Sequence, residues 1–263
     1  GDMDWQSYTQ LIDALAPYLF HVRLHNLGEP TLHPLLPRMV QYAHRKGIYT
    51  NFHTNGQLLS ERLVGELLSS GLDEIFIALD GMSEETYQQY RRGGRFERVR
   101  DGIIRVCDAR RQQKRASPKV SIQFLVMSHN EHEIDSLLSF ASSVGVDRVQ
   151  LKSVNIAWGE EAGNRSYLPT NPAYARYRLD GGPLQLSRAR KCARVFTEMI
   201  VNWDGSVCVC PSDHPGSGRA RGNVFRDGLR NVLFGSELIA ARRRSLRKGY
   251  EMCRLCLNAE CPV

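Results

Sequence analysis

At 263 residues, with 42% hydrophobic and 24% charged residues, the chain has the composition of a folded protein, which excludes a disordered or low-complexity segment. Its longest apolar stretches, 75–79 and 122–127, are strand-sized and far short of the roughly 18 residues that a membrane-spanning helix needs. The net charge of +7 suits an anionic ligand, yet Lys and Arg are dispersed through helical stretches and read first as a solvated surface.

The opening Gly-Asp-Met-Asp-Trp carries neither an initiator Met nor the regions of a signal peptide. Residues 4–18 read as a helix. Strand-like runs follow at 20–26, 49–54, 74–80, 120–127 and 148–154. Helix-like stretches with apolar residues three and four apart occupy 34–46, 60–70, 96–115 and 131–144. This alternation is the pattern of a parallel α/β sheet or barrel. An α/β repeat normally starts on a strand and this chain starts on a helix, so a first strand and its loop are expected upstream of Gly1. Turn-forming residues gather after three strands, as Asn26-Leu27-Gly28-Glu29-Pro30, Thr54-Asn55-Gly56 and Asp80-Gly81. Ligands of parallel α/β folds bind beyond the C-terminal strand ends, so Glu29 and Asn55 are expected to face one pocket. Gln123, a polar residue inside an apolar strand, needs a partner if it faces inward.

From residue 157 to 190 the periodicity fades into Gly, Pro, Asn and Tyr, marking a linker or bridge. A different module begins near Cys192. Asp204-Gly205 between two strand-like runs signals a hairpin with arms near 196–202 and 206–210, and a helix is expected over 236–248. Of seven Cys, Cys107 alone lies in the first 191 residues; Cys192, Cys208, Cys210, Cys253, Cys256 and Cys261 crowd the rest. Cys107 falls in a helical stretch beside Ile103, Ile104 and Val106 and reads as a small buried hydrophobe. Cys253-x-x-Cys256 is a spacing that lets two thiolates reach one metal or cluster, and the hairpin cysteines supply more. Spacing alone leaves zinc and iron–sulfur both open. His25 and His53 alternate with apolar neighbours in their strands and read as strand residues rather than ligands.

These motifs resemble those of radical S-adenosylmethionine (radical SAM) enzymes that carry a C-terminal SPASM or shorter twitch domain. The run LHNLGEPTLHP resembles the family's Gly-Gly-Glu-Pro motif, with Leu27 in place of the first Gly. FHTNG is similar to the third-strand Thr-Asn-Gly, and IALDG to the fourth-strand Ser-Ile-Asp-Gly, with Ala78 where a cofactor-binding Ser often stands. Cys192, twelve residues to Gly205, four more to Cys210, then Cys253-x-x-Cys256 is similar to the twitch pattern.

The resemblance implies an α/β fold: a partial (β/α)6-type parallel barrel over 1–156, a bridge over 157–190 and a small α+β cysteine-rich module over 191–263. It implies that Gly28, Glu29, Pro30, Thr54, Asn55 and Gln123 bind S-adenosylmethionine. Cys192, Cys210, Cys253 and Cys256 would hold an auxiliary [4Fe-4S] cluster. The family's Cys-x-x-x-Cys-x-x-Cys loop, which holds the cluster that cleaves the cofactor, occurs nowhere in the 263 residues, so that second [4Fe-4S] cluster is expected upstream of Gly1. The activity implied is formation of a 5′-deoxyadenosyl radical that abstracts hydrogen from a peptide or small molecule. Flavodoxin or ferredoxin would be the reductant, in the cytoplasm, with no membrane partner. A zinc-ribbon nucleic-acid-binding protein is the alternative. It accounts only for the C-terminal third and lacks the aromatics interleaved with basic residues that single-strand binding uses. A non-catalytic scaffold with the same fold is the third reading.

Overall fold

The computed structural model describes residues 1–155, 165–178, 194–211, 220–247 and Cys253. Contacts divide the chain into two units, one built on Leu15–Val154 with Ala162–Ala175, the other on Gly1–Ala14 with Asn155–Glu161 and Arg176–Ala259.

The larger unit is a five-stranded sheet in the order β1-β2-β3-β4-β5, with every neighbouring pair parallel. Its strands are β1 (His21–Arg23), β2 (Tyr49–Thr54), β3 (Glu74–Ala78), β4 (Lys119–Val126) and β5 (Arg148–Ser153). Parallel neighbours require crossovers, which hold α2 (Leu36–Arg45), α3 (Glu61–Ser69), α4 (Glu84–Tyr90), α5 (Phe96–Gln112) and α6 (Ile134–Val144). The helix α1 (Trp5–Leu15) precedes them.

Successive strand residues face opposite sides, and the two sides of this sheet differ sharply. One side carries Phe52, Ile75, Ile77, Val120, Ile122, Phe124 and Val126, buried against Val40, Leu67, Val99, Ile103 and Leu137 of the helices. Each such side chain contributes about 1.5–3 kcal/mol by leaving water. Cys107 belongs to this core, and burial pushes its thiol up to about 11, as suits a small hydrophobe rather than a ligand. The other side, through the β2–β5 registers, carries Asn51, His53, Glu74, Phe76, Ser121, Gln123, Arg148, Gln150 and Lys152. Parallel strands buried on both faces are near-continuously apolar. This one has a polar face.

The helix α4 was not expected from the sequence, because Glu84–Tyr90 has little apolar periodicity; Ser83 starts it by accepting the Thr86 amide. Gly56 fits a packing need as well as a turn. At φ +74, a Cβ there would stand 2.9 Å from Val99 Cγ1 and 3.0 Å from Ile77 Cγ2. Gly56→Ala is therefore expected to destabilise the fold by about 2 kcal/mol, read as a lower urea midpoint; an unchanged midpoint would refute this account.

In the smaller unit, β6 (Ile200–Val201) and β7 (Val207–Cys208) pair antiparallel across Asp204-Gly205. The hairpin arms are shorter than the sequence suggests, since Arg194–Thr197 forms a turn of helix, α7. Asp204 Oδ1 accepts from the Ser206 amide at 3.0 Å, and Asn223 Nδ2 donates to the Asp204 carbonyl at 2.7 Å. Asn223 also caps α8 (Val224–Asp227), followed by α9 (Leu229–Leu233) and α10 (Ser236–Leu246). Val207, Val209, Val224, Val232, Leu238 and Ala241 form its core, with Leu11 of α1 packed against it. Among the described residues no helix is long and apolar enough to cross a membrane.

Candidate functional site

Where β1 runs out, Glu29 turns back to the end of β2. Its Oε1 accepts from the Thr31 amide at 3.0 Å, the Thr31 hydroxyl at 2.6 Å and the Thr54 hydroxyl at 2.7 Å. Its Oε2 accepts from the Asn55 amide at 2.7 Å. Glu29 also caps the 3-10 turn Pro30–Leu32, with Pro30 at its first position, where a missing N–H costs nothing. Gly28, Glu29, Pro30, Thr54 and Asn55 thus come together at the C-terminal strand ends. Gly28 has φ +86, and a Cβ on it would meet nothing within 4 Å, so the loop backbone is open to a ligand's approach. A carboxylate offers about four acceptor sites. With three donors on Oε1 and one on Oε2, an acceptor direction is left at Oε2 for the N–H of a ligand. Asn55 spends its own Oδ1 on the Gln57 amide at 2.9 Å.

Gln123 lies on the polar face, opposite Ala78 in register, and its Oε1 accepts from Lys152 Nζ at 2.8 Å. Its amide is close enough to the His53 ring to raise that ring's basicity slightly. The His53 ring stacks on Phe76 at 4.3 Å between centroids and lies 4.6 Å from the His25 ring. The His53 amide donates to His25 Nδ1 at 3.1 Å, which fixes the proton of the neutral His25 ring on Nε2. Burial, then the nearby charges of Arg23 and Lys152, push His25 down to about 3. Burial, then His25, Lys152 and Arg23, push His53 down to about 2. Toward the N-terminal strand ends, Glu74 accepts from Ser121 and Arg148, both at 2.9 Å, and from Tyr49 at 3.3 Å. Between these layers Asn51 is only 4% exposed, and its Oδ1 has no hydrogen-bond partner. Native folds seldom leave a buried acceptor unmet outside functional sites. The sequence reading named His25, His53 and Gln123 but missed Lys152 and Arg23. Their signal is the polar residue at every second position of β1 and β5.

Asp80 of the IALDG run is fully buried. Its Oδ2 accepts from Arg91 Nε at 2.6 Å, its Oδ1 from the Leu125 amide at 2.7 Å, and its carbonyl from Asn130 Nδ2 at 3.0 Å. It ties β3 to the end of β4 and to the residue after α4. Burial raises its pKa against the pull of Arg91.

Of the four expected cluster ligands, Cys210 and Cys253 are described, both half-buried and without disulfide; Cys192 and Cys256 lie outside the described residues. Cys208 is buried on β7 and accepts from Asn202 Nδ2 at 3.5 Å, so its sulfur is engaged within the hairpin. Among the described residues no three His, Cys, Asp or Glu side chains gather as a metal site. Half-buried thiols on a hairpin end and after a helix are of the type that ligates iron or zinc.

The radical SAM superfamily matches residues 6–141, just over half of the chain. The chain belongs to that superfamily. An iron-sulfur cluster-binding domain, SPASM, matches residues 192–258. The radical SAM and SPASM matches imply S-adenosylmethionine and iron–sulfur clusters as the cofactors. Among curated relatives, the "Tungsten-containing aldehyde ferredoxin oxidoreductase cofactor-modifying protein" of Pyrococcus furiosus is 23% identical over 80% of this chain and 63% of its own. The "PqqA peptide cyclase" of Streptomyces rochei is 25% identical over 87% of this chain and 66% of its own. The chain spans from a third to two thirds of the length of such relatives. Native anSMEcpe with bound AdoMet is similar in structure, at TM-score 0.66 and 14% identity, over 99% of this chain and 81% of the other. Streptococcus suis SuiB gives 0.67 at 15% identity over 90% and 61%. These likenesses show the α/β radical SAM fold expected from the sequence.

Proposed function

We propose that this chain is the greater part of a radical SAM enzyme that makes a 5′-deoxyadenosyl radical and abstracts hydrogen from a peptide. The observation that carries the reading is the convergence of Gly28, Glu29, Thr54 and Asn55 at the strand ends, with one carboxylate tying them together. In this reading the bound cofactor and its cluster supply the radical. Glu29 Oε2 and the Gly28 backbone orient the methionine amine, with Pro30 and Thr54 holding that loop in place. Gln123, held by Lys152, lines the wall below. The peptide class is supported by the peptide cyclase relative from Streptomyces rochei and by the structural likeness to SuiB bound to precursor peptide SuiA, at TM-score 0.64 and 15% identity.

Cys192, Cys210, Cys253 and Cys256 are proposed to hold an auxiliary [4Fe-4S] cluster within 191–263, with 1–156 as the cofactor-binding part and 157–190 as the bridge. The thiolates of the cofactor-cleaving cluster then come from outside these 263 residues, which hold no Cys-x-x-x-Cys-x-x-Cys. Reduced thiolates suit the cytoplasm, where flavodoxin or ferredoxin supplies the electron.

Two measurements test the reading. Anaerobic reconstitution of the 263-residue chain should give about four iron and four sulfide per chain, lost in Cys210→Ala and Cys253→Ala; zinc without acid-labile sulfide would refute the cluster. The full-length protein, reconstituted and reduced, should release 5′-deoxyadenosine from S-adenosylmethionine, and its failure to do so would refute the enzyme.

A further inference from the structure

The polar face of the sheet carries an uneven charge. At the strand positions that share it, four cations, Arg23, Lys119, Arg148 and Lys152, stand against one carboxylate, Glu74. That carboxylate sits toward the N-terminal strand ends and already accepts from Arg148, Ser121 and Tyr49. Nearer the C-terminal ends, below Glu29 and Asn55, the face is made of Arg23, His25, His53, Phe76, Gln123 and Lys152. Lys152 donates to Gln123 at 2.8 Å, and the His53 ring lies between the rings of Phe76 and His25; the charges of Arg23 and Lys152 are both felt at His25 and His53.

We propose that this part of the face is the substrate floor and selects a substrate carboxylate, bound by Lys152 with the Nε2–H of His25 and attracted by Arg23. The proposal rests on the radical SAM reading for the presence of a substrate there. The geometry fixes the polarity of the donors. His25 Nδ1 is occupied by the His53 amide, so its remaining ring nitrogen is an N–H and can only donate. Burial and the two cations keep both imidazoles neutral at pH 7, so neither carries a titrating charge into the site. An ammonium and an imidazole N–H are two single-point donors, which match the two oxygens of a carboxylate better than the three of a phosphate group. The His53–Phe76 stack beside them presents a flat apolar surface suited to the adjoining part of a peptide.

The methionine carboxylate of S-adenosylmethionine shares this chemistry, so the test separates the two sources. The probe is N-acetylglycine, with N-acetylglycinamide as its uncharged counterpart, titrated into the 263-residue chain carrying 15N-labelled histidine. N-acetylglycine should shift the His25 and His53 resonances in a saturable way, and the amide should bind about tenfold more weakly or not at all. Lys152→Met should weaken N-acetylglycine by about tenfold, and Lys152→Arg should restore most of it. Added S-adenosylhomocysteine should leave the titration unchanged.

Equal responses to acid and amide, or no response of either histidine to the acid, would overturn the proposal. So would unaltered binding in Lys152→Met, or displacement by S-adenosylhomocysteine, which would assign the site to the cofactor. If Lys152→Met fails to fold, the comparison of acid and amide in the parent chain decides. No radical is made in this experiment, so its failure is distinct from a failure to release 5′-deoxyadenosine.

Discussion

Glu29→Ala is expected to cost about 3 kcal/mol of stability and to abolish binding of S-adenosylmethionine. Four donors lose their acceptor at once: the Thr31 amide and hydroxyl, the Thr54 hydroxyl and the Asn55 amide. A hydrogen bond to a charged acceptor contributes about 1.5–3 kcal/mol, and a helix cap about 1 kcal/mol. Four such bonds would sum to more than this, but the site is half-buried, and water replaces part of what is lost. Glu29→Gln separates charge from shape. Its amide oxygen can keep the three donors on the Oε1 side, which sets its NH2 against the Asn55 N–H. A cost of about 1–2 kcal/mol is expected, with faster hydrogen exchange confined to Asn55 and its neighbours. Urea unfolding and amide exchange read both variants. A change below about 0.5 kcal/mol in Glu29→Ala would show that the carboxylate does not hold the loop to β2.

This joint was only half legible in the sequence. Glu29 was picked out by the motif around it and Asn55 by its own, but the sequence gives no distance between residues 26 apart. The motifs suggested a pocket that both side chains face. In the folded chain the Glu29 carboxylate reaches the Asn55 backbone amide, and the Asn55 side chain turns to Gln57. The strands were legible because each is a strand-like run bounded by turn residues, and all five lie within those runs or one residue of them. The short helix α4 was not, since Glu84–Tyr90 is held by Ser83 and by Glu84 accepting the Phe96 amide rather than by an apolar stripe. Asp80 looked like part of a ligand motif; its buried bonds to Arg91 and Leu125 give it a joining role that no spacing rule reveals. The polar face needed two steps. Alternation within one strand is visible, but that Lys152 meets Gln123 depends on the register of β4 with β5.

The second large effect is a loss of stability on mild acidification, carried by His25 and His53. Both are pushed down in the folded state, to about 3 and about 2, from an ordinary value of 6.5. As the pH falls below about 6.5, the unfolded chain takes up a proton at each histidine and the folded chain does not. The unfolded state then binds more protons, so stability falls with pH through the window from about 6.5 down to about 3. At pH 5 an undamped shift is worth about 2 kcal/mol per histidine relative to pH 7. The rings are not wholly enclosed, and relaxation around an imidazolium returns part of this, so about 3 kcal/mol for the pair is expected. Native carboxylates add their own acid dependence, which the double variant His25→Asn/His53→Phe removes as a background. Asn offers the His53-position amide an acceptor in place of Nδ1, and Phe keeps the stack on Phe76. Urea midpoints at pH 7 and pH 5 should differ by much less in the double variant than in the parent. In Lys152→Met, with one of the two flanking cations gone, both histidines should titrate at higher pH than in the parent, seen by 15N chemical shifts. Equal pH slopes in parent and double variant, or imidazoles that protonate near pH 6.5 in the folded chain, would mean that the pair is solvated as in water and carries no such linkage.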